Sequence, residues 1–123
     1  MIKSIILLIL IFSFTDFFYL FLMKNNFNTL VNNIQNSNLV LKIFPTILCY
    51  IFLIFSIQYF IINKNNSYID AFILGICIYG VFETTNLAIF KKWNIKTAII
   101  DTIWGGLLFL IKNYLYYKLI KYI

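Results

Sequence analysis

The chain has 123 residues, of which 63% are hydrophobic, 20% aromatic and 11% charged, with a formal net charge of +6. A soluble domain needs roughly 25% charged residues to cover its exterior, and a disordered chain needs more polarity and fewer aromatics. Both classes are excluded, and the composition is that of a membrane protein.

Four apolar runs follow in chain order, at 5–23, 43–62, 71–90 and 97–117. Each is about 20 residues long, and at roughly 1.5 Å per residue each covers the roughly 30 Å hydrocarbon layer as a helix. The first run follows Lys3 as a signal peptide would, but no small-residue cleavage site comes after it, so it reads as a retained helix. Between the first two runs, Phe27, Leu30, Val31 and Ile34 fall at helical spacing before a turn-like Gln-Asn-Ser-Asn at 35–38. The spacing predicts a short interfacial helix that covers the bundle end rather than acting as a lid. Pro45 falls in the first turn of the second run, where a missing backbone donor costs little. Cys49 and Cys77 lie in different runs without metal or redox spacing and read as small buried hydrophobes. The expectation is a single all-α domain, 1–123: an integral membrane bundle of four transmembrane helices with a short interfacial helix in the first connection.

All ten basic residues are lysines, and most sit singly at the ends of the apolar runs. Nucleic-acid binding would want a basic face interleaved with stacking aromatics, so the bilayer is the expected partner instead. Five lysines fall on each side of a four-span topology, so charge asymmetry sets no orientation and leaves dual insertion open. The Ile, Lys, Asn, Phe and Tyr bias without any Arg points to an A+T-rich genome.

Three of the four acids, Asp16, Glu83 and Asp101, lie inside apolar runs. An ionised acid near the centre of a membrane helix costs roughly 2.5 to 3.5 kcal/mol. Asp16 is seven residues before Met23 and Glu83 seven before Phe90, or roughly 10 Å inside; Asp101 is four after Thr97, or roughly 6 Å. In an alternating bundle these ends share one side, which places all three acids in one half of the membrane. Helical spacing adds Tyr79 and Asn86 to the Glu83 face, with Gly75 a turn earlier, and Trp104, Gly105 and Leu108 to the Asp101 face; Ser13 precedes Asp16 by one turn. Gly105 and Gly106 remove bulk beside Trp104, for close helix approach or for a guest, and Gly75, Gly105 and Gly106 are candidate packing positions. Lys112, roughly 16 Å along the helix from Asp101, is expected to snorkel to the far surface. The acids would then lack a cation, and a proton, a metal ion or a cationic ligand would complete the site.

Tyr79, Phe82-Glu83-Thr84-Thr85-Asn86-Leu87-Ala88, Lys91-Lys92-Trp93 and Asp101-Thr102-Ile103-Trp104-Gly105 together resemble the signature of a small four-helix membrane family, domain of unknown function 2177. That pattern reads Tyr-Asp-x-Thr-Asn-Leu-Ala, then Gly-Trp, then Asp-x-x-Trp-Gly, with an acid in the first helix and a Pro opening the second, matched here by Asp16 and Pro45. Phe82 replaces the usual Tyr, Glu83 the Asp and Lys92 the Gly. The resemblance implies a multi-pass membrane protein and supplies no reaction.

Three functions remain in view. The leading expectation is a site that binds or translocates a proton, cation or small polar ligand, built from Asp16, Tyr79, Glu83, Asn86, Asp101 and Trp104. An enzyme or accessory protein acting on lipid is the second; no cofactor is predicted for it, although hard oxygen donors would suit a divalent cation. His, Arg and any recognised catalytic motif are absent, which weighs against catalysis. The third is a structural or assembly protein whose polar layer fixes helix packing, or which oligomerises through its glycine-bearing faces.

Overall fold

A computed structural model describes residues 2–37 and 42–123. Its described residues form helices α1 (Ile2–Gln35), α2 (Ile43–Ile57), a π-helical turn (Gln58–Ile62), α3 (Tyr68–Ile89), α4 (Ile95–Leu119) and a terminal 3-10 turn (Ile120–Tyr122), with no strand among them. The expected all-α membrane bundle is what forms.

The interfacial helix is the one element that differs. Residues 24–35 are helical, as their spacing predicts, but they continue α1 without a break, giving one helix of 34 residues. Nothing between Met23 and Phe27 stops it: the stretch contains no Gly or Pro, and Lys and Asn tolerate helical geometry once the helix is running. At roughly 1.5 Å per residue α1 is longer than the hydrocarbon layer is thick, so its last turns extend past it. It stops at Asn36, whose left-handed backbone (φ 58°) and N–H bond to the Asn32 carbonyl (2.8 Å) terminate it as such residues do. The turn expected at 35–38 runs beyond the described residues at Asn38.

The other ends are capped by sequence-local chemistry. Ser67 accepts a bond from the Asp70 N–H (3.3 Å), and Asn94 accepts from the N–H groups of Lys96 (2.8 Å) and Thr97 (3.4 Å), which satisfies free donors at the starts of α3 and α4. At the end of α2 the Asn63 N–H reaches the Gln58 carbonyl (2.8 Å), five residues back, and the Gln58 side chain donates to Asn63 Oδ1 (2.6 Å). This widened turn lays Ile57, Ile61 and Ile62 onto the core.

Helix α4 is the hub. Antiparallel to it, α3 approaches closely through glycines: a Cβ at Gly75 would stand 2.4 Å from the Gly105 carbonyl oxygen, and one at Gly105 would stand 2.1 Å from the Tyr79 ring. At Gly106 the same atom would meet Ile76 at 2.7 Å. The space freed by the glycines is therefore filled by α3, and no room for a guest is left there. On the other side of α4, α1 also runs antiparallel, with Phe12 packed edge-on against Phe109 (5.9 Å between centroids).

Large apolar side chains point outward all around, Phe14, Phe17, Phe52 and Phe82 among them, which suits hydrocarbon and would not survive in water. Cys49 and Cys77 also lie on outward faces, so they are small hydrophobes toward lipid rather than in the core. Helices α1, α2 with its π turn, and α3 are long and apolar enough to cross a membrane; α4 matches them in length but carries Lys96, Asp101, Lys112 and Lys118. Gly75→Ala and Gly105→Ala should each lower the unfolding midpoint in detergent by an amount equivalent to about 1–3 kcal/mol or more. Gly80→Ala, whose new Cβ meets only Thr102 at 3.6 Å, should leave that midpoint nearly unchanged.

Candidate functional site

The three intramembrane acids are all buried, and Glu83 is fully so. They separate into two arrangements. Asp16 accepts a charged hydrogen bond from the Lys112 ammonium, with Nζ 2.8 Å from Oδ1. Lys112 is itself fully buried, and its Nζ stands 3.8 Å from the centre of the Phe12 ring and 5.3 Å from that of Phe109. Tyr50 on α2 brings its hydroxyl within hydrogen-bonding reach of Asp16.

This corrects the expected snorkelling of Lys112. Side chains on a helix lean toward its N-terminus, and on α4 that direction leads back into the membrane toward Asp101, away from the nearer C-terminal surface. Snorkelling outward would work against the lean. Reaching inward brings the ammonium to Asp16, one ionised partner and an aromatic face, each strengthened by the absence of water. The acids therefore do not form a cation-free trio.

The second arrangement joins α1, α3 and α4. Tyr19, one turn beyond Asp16, donates its phenol hydrogen to Asp101 Oδ1. The Glu83 carboxyl lies within hydrogen-bonding reach of the Asp101 carboxyl. From the turn after α3, the Trp93 indole N–H donates to Glu83 Oε2 (2.7 Å), held by edge contact with Phe82 and a tilted contact with Phe90. The other oxygen, Glu83 Oε1, is buried and receives no hydrogen bond from any described residue.

Of the remaining expected site residues, Tyr79 sits over Gly105, edge-on to Phe109 and close enough to Asp16 and Asp101 to feel both. Trp104 is partly exposed and packs its ring against Tyr19 (6.0 Å), so it covers the Tyr19–Asp101 bond from outside. Asn86 is half-buried, and its side chain makes no bond that ties it to the acids. Among the described residues no three of His, Cys, Asp and Glu gather closely enough to hold a metal ion. With Asp16 engaged by Lys112, the Glu83 and Asp101 carboxyls alone are a poor set for a divalent cation, which takes six or more oxygens.

Sequence reasoning missed Lys112, Tyr19, Trp93 and Tyr50. Two had a readable signal: Lys112 extends the 101, 105, 108 stripe by one further turn, and Tyr19 lies at i+3 from Asp16. Trp93 lies outside the helices it serves, and Tyr50 is legible only once α2 is placed.

Four antiparallel helices with an apolar exterior and buried charges define a small multi-pass integral membrane protein. The chain belongs to the family described as predicted membrane protein DUF2177, whose model matches residues 1–117. No curated protein and no solved structure matches it.

Removing one partner of a buried ion pair leaves an uncompensated charge at a cost of about 3–5 kcal/mol. Asp16→Leu and Lys112→Met should therefore each destabilise the bundle strongly, while the double variant recovers most of the loss. Unfolding by denaturing detergent across the four-member cycle measures this coupling, and additive losses would count against the pair.

Proposed function

We propose that the protein binds and exchanges a proton inside the membrane at the Glu83–Asp101 carboxyl pair. The observation that carries this reading is Glu83 Oε1, a buried acceptor with no donor among the described residues and beside a second buried carboxyl. A single proton placed between the two carboxyls supplies the missing donor and removes one of two adjacent negative charges, which a low-dielectric interior penalises heavily.

No lysine competes for the role. Lys112 is bonded to Asp16, and Lys91, Lys92 and Lys96 lie exposed beyond the ends of the apolar segments or at the first turn of α4. Tyr19 and Trp93 each donate one neutral hydrogen bond, so they orient the pair and temper its charge without neutralising it. In this reading Asp16 and Lys112 hold the frame and take no part in exchange, while Tyr79 and Trp104 shield the pair.

A structural role is favoured for Asp16 and Lys112 by the completeness of their ion pair. The lipid-acting alternative has less support: the groove between α1 and α2, lined by Phe12, Ser13, Thr46 and Tyr50, does not include either member of the carboxyl pair.

Infrared spectra of the reconstituted protein should contain the carbonyl stretch of a protonated, non-aqueous carboxyl. Glu83→Gln and Asp101→Asn should each remove or shift it, and each should reduce proton flux into vesicles followed with a trapped pH-sensitive dye. If no protonated carboxyl is present and flux is unchanged in both variants, the reading is wrong.

A further inference from the structure

The end of the bundle formed by the first turn of α1, the π-helical turn and the last turns of α4 carries a second set of buried polar groups. Most are paired: the Tyr116 hydroxyl donates to Ser4 Oγ (2.7 Å), and Ser4 donates to Gln58 Oε1 (2.7 Å). Asn113 breaks the pattern. Its side chain is fully buried, and neither its amide nitrogen nor its amide oxygen is bonded to any described residue. One turn further along α4 the buried hydroxyl of Tyr117 is likewise unpartnered among the described residues.

These two orphans lie one helical turn apart on α4. Residues four apart share a helix face, and the side chain at 117 leans back toward 113. Tyr117 also forms part of the wall of a cavity of about 370 Å³ at the turn before α3, together with Asn65, Asn66, Ser67 and Tyr68. The wall residues carry amides, a hydroxyl and phenols, although most of the wall surface is apolar, and the cavity lies at the chain turn between two membrane helices. The cavity at that turn, Tyr117 in its wall and Asn113 one helical turn further into α4 thus follow one another along one helix face.

We infer that this line is a water inlet: water enters at the turn 63–67 and is bound by the Tyr117 hydroxyl and the Asn113 amide. An unpaired buried amide is costly in an apolar interior, and buried water characteristically bridges polar groups of this kind, using two to four bonds each. The amide offers a donor and an acceptor, and the phenol offers both, so one or two waters satisfy all three orphaned atoms. The inference does not depend on proton exchange at Glu83 and Asp101, which lie toward the opposite end of α4.

The test uses the full chain reconstituted in lipid vesicles. Hydroxyl radicals generated from water by an X-ray pulse should oxidise Tyr117 several-fold faster than Tyr50, a half-buried tyrosine that lines the apolar groove between α1 and α2. In parallel, Asn113→Leu should lower the unfolding midpoint, because it discards bonds to bound water; in a dry interior the same change would raise it by removing an unsatisfied amide. Tyr117 oxidising no faster than Tyr50, or a raised midpoint for Asn113→Leu, would overturn the inlet.

Discussion

An ammonium and a carboxylate 2.8 Å apart, on helices α4 and α1, sit where neither could remain alone. The Asp16–Lys112 contact sets how far α1 slides along α4, because breaking it exposes two charges to an interior that cannot solvate them. With that register set, Tyr19 falls one turn beyond Asp16 and meets Asp101. The register of α3 is set separately by shape, since Gly75, Gly105 and Gly106 allow backbone contact at only one height. These two constraints, one electrostatic and one steric, meet at the Glu83–Asp101 pair.

Hydrophobicity and burial run in opposite directions among these helices. Helix α4 is the most polar and supplies the longest set of buried residues, whereas α2, the most uniformly apolar, buries only Ile57. Lipid accepts an apolar surface at no cost, so α2 has little to gain from the core, while the charged and amide groups of α4 must be covered by protein. The same reasoning explains the outward placement of the cysteines and the phenylalanine-rich exterior.

Buried polar residues line α4 from Thr97 through Asp101, Lys112 and Asn113 to Tyr116, and each section is completed differently. Charge completes the middle, neutral hydrogen bonds complete the Tyr116–Ser4–Gln58 end, and Glu83 Oε1, the Asn113 amide and the Tyr117 hydroxyl are left without a partner among the described residues. Unpartnered groups in a well-paired interior are uncommon, and the proposed proton at one place and the proposed water at the other each supply the missing partner.

The sequence by itself determined the helices and their membrane setting, because hydropathy and span length are one-dimensional quantities. Helical spacing puts Tyr79 and Glu83 on one face of α3, and in the structure the Tyr79 ring lies against Gly105 and Phe109. Partner choice was decided only by the tertiary structure. Whether Lys112 reaches the surface or Asp16 depends on the lean of its side chain and on the height of another helix, and periodicity along one helix contains neither. Trp93 meets Glu83 only because the turn after α3 folds back. The continuation of α1 through residues 24–35 also escaped a reading by hydropathy, because polar residues end an apolar run without ending the backbone hydrogen bonds of the helix.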